Sequence, residues 1–244
     1  MRIKYKEPFW AKYEWDLSEH KDHQYVTEFN KEESDKVKNL FHQNKYAIHV
    51  EFKLNKKYKK DNIFCIFGKP GKNFGLTYNV DADTLALEFW TEGTTKVAGD
   101  EFHYVKFYET LKDWTNITIV RNDDEFIIYK NFERNNDKDF DKNLIYDYRM
   151  EGLLFGSGNP GSDVPEHRYH GSFDIKKCFF IEDETDIDIV KNIYETNSSD
   201  LNKLEEYKKI IFNYDFDTVN NQGIIFDNSS NSYFAEKIPT DFIK

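Results

Sequence analysis

Trp114-Thr115-Asn116-Ile117-Thr118-Ile119-Val120-Arg121, then Asn122-Asp123-Asp124, then Glu125-Phe126-Ile127-Ile128-Tyr129-Lys130-Asn131, is the stretch that decides the fold. Its first eight residues alternate between two faces, the pattern of a strand half-buried in a sheet. Asn122-Asp123-Asp124 carries turn chemistry, and the following residues return as an antiparallel partner. Downstream, Gly152-Leu153-Leu154-Phe155-Gly156-Ser157-Gly158 opens a polar loop that ends in His170-Gly171-Ser172-Phe173-Asp174-Ile175 and a new apolar run. Upstream, Tyr46 to Leu54 alternates, while Ile63 to Gly68 is a continuous apolar run of the kind covered on both faces. Phe74 to Asn79 and Thr84 to Trp90 flank the turn Val80-Asp81-Ala82-Asp83, and His103 to Phe107 adds a shorter strand. Strands at this spacing, with turns between them, point to a sandwich.

Composition agrees. Aromatics make up 17% of the 244 residues, with 22 Phe and 16 Tyr, a bias that suits pleated, half-buried surfaces. This length suffices for a substantial core in one domain. Lys+Arg of 34 against Asp+Glu of 45 gives a formal charge of −11, which repels phosphate backbones and anionic lipid surfaces alike. Neither nucleic acid nor a membrane is an expected partner. The apolar runs stop well short of the ~20 residues that span a bilayer. Met1-Arg2-Ile3-Lys4-Tyr5-Lys6 lacks the apolar core of a signal peptide. The chain is therefore expected to stay inside the cell, or to take its address from a larger parent on an extracellular or viral surface. Cys65 and Cys178 lie in apolar strand-like runs and read as free buried thiols, with a disulfide between neighbouring strands as the alternative.

Residues 1–45 are polar, charged and aromatic, with a short helix expected from Glu32 to Phe41. Asp186 to Tyr194 has helical spacing with Thr185 as N-cap, and a second helix is expected from Leu201 to Ile211.

The order of the strand motifs resembles the laminin-G-like, concanavalin-A-like jelly rolls. Members often carry a W-x-x-I-x-[VI]-x-R … Y-x-N hairpin, matched by Trp114 to Arg121 and Tyr129-Lys130-Asn131. They continue with L-x-F-G and G-x-F-D, matched by Leu153 to Gly156 and Gly171 to Asp174. The resemblance covers roughly residues 45–195. It implies an all-β fold, a two-sheet antiparallel jelly-roll sandwich with short helices near the C-terminal end. The chain is read as one domain over 1–244: sandwich core 45–182, helical segment 185–212, closing strand region 213–234. Tyr214-Asp215-Phe216-Asp217 and Asp227-Asn228-Ser229-Ser230-Asn231 look like the way such domains begin, an aromatic strand and then D-x-S-x-N. Either this segment closes the sandwich, as in a circular permutation, or it opens a further domain; closure leaves no unpaired edge.

Many members hold one structural calcium ion. The resemblance implies Asp174 as its late-strand ligand, with Asp217 and Asp215 or Asn220 nearby, and Asp16 as the alternative. Calcium takes about six to eight oxygens at roughly 2.3–2.6 Å. The other role for Asp174 is a strand-end ion pair with Lys176 or Lys177.

Enzymatic chemistry finds little support. Glu184-Thr185-Asp186-Ile187-Asp188 superficially resembles the E-x-D-x-E strand of glycosidases that work with two carboxylates about 5 Å apart. It follows the last core strand, however, and reads as a helix start with acids in its first turn. The seven His form no H-x-x-x-H pair, and no glycine-rich phosphate loop occurs.

Binding remains. Sugars are held by flat aromatic faces and planar polar side chains on loops of a rigid scaffold. The long loop 156–170 offers Asn159, Asp163, His167, Arg168 and Tyr169; Trp90 is either core or platform, and Trp114 is read as core. The expected function is a non-catalytic lectin or adhesion module recognising a glycan or polysaccharide. The alternative is a structural or protein-interaction sandwich, in an oligomer, a viral appendage or a glycan-processing enzyme. A glycoside hydrolase ranks third, for want of a facing carboxylate pair.

Overall fold

The structure, a computed structural model, describes residues 2–3, 9–11, 43–54, 63–68, 74–79, 84–89, 103–107, 113–123, 125–135, 153–155, 157–158, 169–170, 173–218, 224–231 and 235–237. Among them the chain is mostly β, in two large antiparallel sheets. The first holds β1 (Arg2–Ile3), β3 (Lys45–Leu54), β8 (Thr115–Asn122), β9 (Glu125–Lys130), β10 (Glu133–Arg134), β14 (Phe173–Glu182) and β15 (Ile210–Asp215). Its order is β1-β14-β3-β8-β9-β10, with β15 pairing the later part of β14. The second holds β2 (Phe9–Ala11), β4 (Ile63–Gly68), β5 (Phe74–Asn79), β6 (Thr84–Phe89), β7 (His103–Phe107), β11 (Leu153–Phe155), β16 (Ile224–Ile225) and β17 (Ala235–Lys237). Its order is β16-β17-β2-β11-β4-β5-β6-β7. A small ribbon pairs β12 (Ser157–Gly158) with β13 (Tyr169–His170).

The hairpin expected from Trp114 to Asn131 forms as β8 and β9, with Ile117 opposite Lys130 and Asn122 opposite Glu125. Strand alternation then sorts the first sheet into two faces. Tyr46, Ile48, Val50 and Phe52 of β3 point to one side, beside Ile117 and Ile119, and all are fully buried. Ala47, His49, Glu51 and Lys53 point to the other. Helix α1 (Ile187–Glu195) lies on that second face: its Val190 and Ile193 pack with Ala47, Val120, Phe179 and Ile181.

The helix start is corrected by one residue. Asp186, not Thr185, is the N-cap, its carboxylate accepting from the Asp188 N–H at 2.9 Å. Glu184 Oε1 accepts from the N–H groups of Thr185 and Asp186, which makes this acidic run a helix entrance. The second expected helix is not one. Ser198–Lys203 and Glu205–Lys209 are 3-10 turns, and Ile210 and Ile211 already belong to β15. Leu201 and Ile210 are fully buried in the cluster under α1, so tertiary burial outweighs the helical spacing. The helix expected over Glu32–Phe41 falls outside the described residues. Cys178 is a free, buried thiol, and burial raises its pKa well above the ordinary value.

The D-x-S-x-N run protects an edge. Asp227 Oδ1 accepts from Asn213 N at 2.7 Å and Ser229 N at 2.8 Å. Ser229 Oγ and Asn231 Nδ2 donate to the Ile211 carbonyl at 3.0 and 2.8 Å. Side chains thus occupy backbone groups on the outer side of β15 that would otherwise invite a foreign strand.

His49 is a fully buried polar group. Its ring stacks between Phe179 (4.9 Å between centroids) and Phe132 (5.4 Å), with Tyr194 of α1 at 5.0 Å. Nδ1 lies 2.8 Å from the Thr118 hydroxyl, while Nε2 has no hydrogen-bond partner. Phe132 reaches the ring from an unusual turn: Asn131 (φ 50) and Phe132 (φ 66) both adopt left-handed backbone between β9 and β10. Burial first, and the Lys177 charge second, push the His49 pKa down to about 3. The Asn116 carboxamide, close to the ring but without hydrogen-bonding geometry, pulls weakly the other way.

The folded pKa lies below the unfolded value of about 6.5, so the unfolded chain binds the proton first. Stability is therefore complete above pH about 6.5 and declines as pH falls toward about 3, by up to about 1.4 kcal/mol per pH unit. Urea unfolding of wild type and His49→Phe at pH 7.5 and 4.5 checks this. The variant is expected to lose the part of the acid sensitivity that His49 causes, and equal sensitivity in both would refute the assignment.

Candidate functional site: a polar row beside the helix

The face of the first sheet that carries α1 is apolar beneath the helix and polar beyond its C-terminal end. Successive rows follow from the register. Val120, Ala47 and Ile181 form one row; Thr118, His49 and Phe179 the next; Asn116 and Glu51 with Lys177 the third. In the fourth, Asp174 stands opposite both Lys53 and Arg2. Trp114 precedes Thr115, the partner of Phe52, and so adjoins Lys53 on this rim.

Trp114 was expected in the core; it is 39% exposed. The reason is positional. Thr115 begins the ladder and points inward, which leaves Trp114 before the strand, on the outward face. Beside it Lys53 Nζ donates to Asp113 Oδ1 at 2.9 Å, and the same oxygen accepts from the Trp114 N–H at 2.9 Å. Hydrogen bonding from Lys53, then from the Trp114 N–H, holds the Asp113 carboxyl below its usual pKa. The rim therefore carries an exposed tryptophan whose backbone N–H bonds an ionised carboxylate paired with an ammonium.

The third row is more deeply set. Glu51 is only 5% exposed and meets Lys176 Nζ at 3.5 Å, but its Oε2 accepts no hydrogen bond. A bulge between Ile175 and Lys177 shifts the ladder by one residue. It brings two consecutive lysines to this face, Lys176 to Glu51 and Lys177 to α1. Lys177 Nζ donates to the carbonyls of Ile193 (3.3 Å), Tyr194 (2.9 Å) and Thr196 (3.3 Å). It thereby caps the negative end of the helix dipole with a cation. Burial lowers the Lys177 pKa, while Glu51 raises that of Lys176. Burial first, and the Glu51 charge next, raise the Tyr194 phenol.

Of the candidate glycan contacts, Trp90, Asn159, Asp163, His167 and Arg168 lie outside the described residues, as does the candidate calcium ligand Asp16. Tyr169 sits in β13 opposite Gly158. Asp215 ends β15 opposite Lys177, and Asp217 lies in the 3-10 turn Phe216–Thr218, its N–H donating to Asp215 Oδ1 at 3.0 Å. Asp174, Asp215 and Asp217 thus occupy neighbouring strand ends. Among the described residues no three His, Cys, Asp or Glu side chains converge closely enough to hold a metal ion. Sequence reasoning missed Lys53, Asp113 and Glu51; the signal was the alternation that puts Lys53 and Glu51 on the same face as His49.

The class that these observations define is a mostly-β chain of two antiparallel sheets with a few short helices. It matches no protein-family model and no curated protein. Among solved structures it resembles the botulinum neurotoxin serotype D binding domain, at 13% identity and a TM-score of 0.48, over 66% of this chain and 39% of that one. It also resembles the binding domain of botulinum neurotoxin DC in complex with SialylT, at 11% identity and a TM-score of 0.47, over 69% and 38%. A botulinum neurotoxin type C structure, described as dependent on two ganglioside molecules for cell entry, matches at 13% identity and a TM-score of 0.47, over 69% and 38%. The chain spans less than two fifths of each of these proteins. No helix among the described residues is long and apolar enough to cross a membrane.

The Glu51–Lys176 pair is directly testable. Removing the cation leaves a buried carboxylate without its counter-charge, which costs more than the pair contributes. Lys176→Ala is expected to cost about 1–2 kcal/mol, discounted because the lysine is half exposed, and adding Glu51→Gln should recover most of it. A urea double-mutant cycle measures the coupling, and simple additivity would show that the two do not interact.

Proposed function

We propose that this chain is a non-catalytic carbohydrate-binding module whose ligand lies on the rim formed by Trp114, Asp113 and Lys53. The observation that carries the reading is the exposed Trp114 next to the Lys53–Asp113 ion pair. An indole offers a flat apolar face to sugar C–H groups, and the ion pair offers an acceptor and a donor to adjacent hydroxyls. All three residues stand where a paired strand begins or ends, so the scaffold holds them without a long flexible loop.

The two sheets are proposed to close face to face as a jelly-roll sandwich. Tyr46, Ile48, Val50 and Phe52 are fully buried on the face opposite α1, and Leu76 and Leu85 are fully buried in the second sheet, which supports mutual cover. The loop residues Asn159, Asp163, His167, Arg168 and Tyr169, with Trp90, are proposed as a second contact region. One structural calcium ion is proposed with it, with Asp174 as the late-strand ligand, Asp217 with Asp215 or Asn220 as its partners, and Asp16 as the alternative; the described carboxylates do not converge on a cation by themselves.

A glycan array probed with wild type and Trp114→Ala, with calcium and with excess chelator, tests the reading. Wild type is expected to bind, and the variant to lose about tenfold or more in affinity, as for a hot-spot aromatic. Loss of binding in chelator would support the calcium. A blank array would instead favour a structural or protein-interaction module, and unchanged binding by Trp114→Ala would remove the rim from the site.

A further inference from the structure

We infer that the ligand of the Trp114 rim is an uncharged saccharide, bound through adjacent hydroxyls by the Lys53–Asp113 pair; this rests on the carbohydrate-binding reading above. The charges around Trp114 favour a neutral ligand. Each described lysine near the rim is already committed. Lys53 is paired with Asp113 at 2.9 Å, and Lys176 with Glu51 at 3.5 Å. Lys177 spends its protons on three carbonyls at the end of α1. Asp174 stands opposite Lys53 in the ladder, so Lys53 has an acidic residue on either side, Asp174 and Asp113.

A sugar carboxylate or sulfate that bonds Lys53 would sit beside the Asp113 carboxylate already paired there, with like charges a few ångströms apart in water costing on the order of 1 kcal/mol. The chain as a whole, at −11, adds repulsion rather than steering.

A hydroxyl meets none of these penalties. It both donates and accepts, and the pair offers one partner of each kind. Both hydrogen bonds to Asp113 fall on Oδ1, which leaves Oδ2 to take a hydroxyl proton. Asp113 is 77% exposed at its side chain and Lys53 39%, so the pair is reachable without rearrangement. A vicinal diol can bridge carboxylate and ammonium while the C–H face of the ring covers the indole.

The test uses the full chain and a panel of neutral hexose and N-acetylhexosamine oligosaccharides with their sialylated and sulfated counterparts. Neutral members are expected to bind, with affinity changing less than about twofold between roughly 0.05 and 0.5 M NaCl, as for a contact without net charge pairing. Asp113→Ala is expected to weaken them about tenfold while leaving the melting temperature close to wild type, because its side chain is exposed. Binding confined to charged members and weakening steeply with salt, yet lost in Trp114→Ala, would overturn this inference and keep the rim as the site. Neutral binding unaffected by Asp113→Ala would also overturn it. Absence of binding to the whole panel, or binding indifferent to Trp114→Ala, would overturn the reading beneath it as well.

Discussion

Strand β3 meets water along little of its length, and most of the structure follows from that constraint. Tyr46 to Phe52 is buried residue by residue, the even positions on one side of the sheet and the odd ones on the other. A strand hidden on both faces must satisfy every backbone group laterally, and β3 does so with β14 on one flank and β8 on the other. The odd positions then need a cover of their own. Ala47 is small enough to admit α1, and His49 brings a polar ring into what would otherwise be a dry contact. Placement of the helix and of the polar rows beyond it both follow from that one alternating strand.

The same face thus serves two purposes along its length. Under α1 it is packed and apolar; past the helix terminus it carries Glu51, Lys53 and Asp174, and Lys177 marks the border by holding the last carbonyls of the helix. The β-bulge at Ile175–Lys177 makes the border possible, since an unbroken ladder would send one of the two consecutive lysines through to the opposite core.

Much of the strand framework was legible in the residues. Ile63–Gly68 and His103–Phe107 stand at the expected bounds, and the hairpin across Asn122-Asp123-Asp124 forms in register. Period-2 patterns with turn residues between them are local signals, and they carry this information directly. What failed was what depends on distant partners. Leu201 to Ile211 has helical spacing, but Ile210 and Ile211 are claimed by the edge of β14, and the D-x-S-x-N segment holds them there. Trp114 looked like core because it opens an alternating run, yet the ladder starts one residue later. The Lys53–Asp113 pair joins residues sixty positions apart, which no local pattern reveals.

Phe132 shows how one side chain can hold an otherwise unfavourable turn. A two-residue hairpin with both central residues left-handed ordinarily favours Asn-Gly, and a bulky residue there costs on the order of 1–2 kcal/mol. Here the second position carries a phenyl ring that stacks flat on His49 and leans on Tyr194. The glycine that turn chemistry would select has been exchanged for a contact with the helix cover. Positions 49, 132 and 194 therefore share one fate in descent: a lineage that loses the imidazole has no further reason to keep the phenyl. In such a lineage residue 132 should drift to glycine and residue 194 should be released from aromatic character, so the three columns of any family alignment are expected to change together.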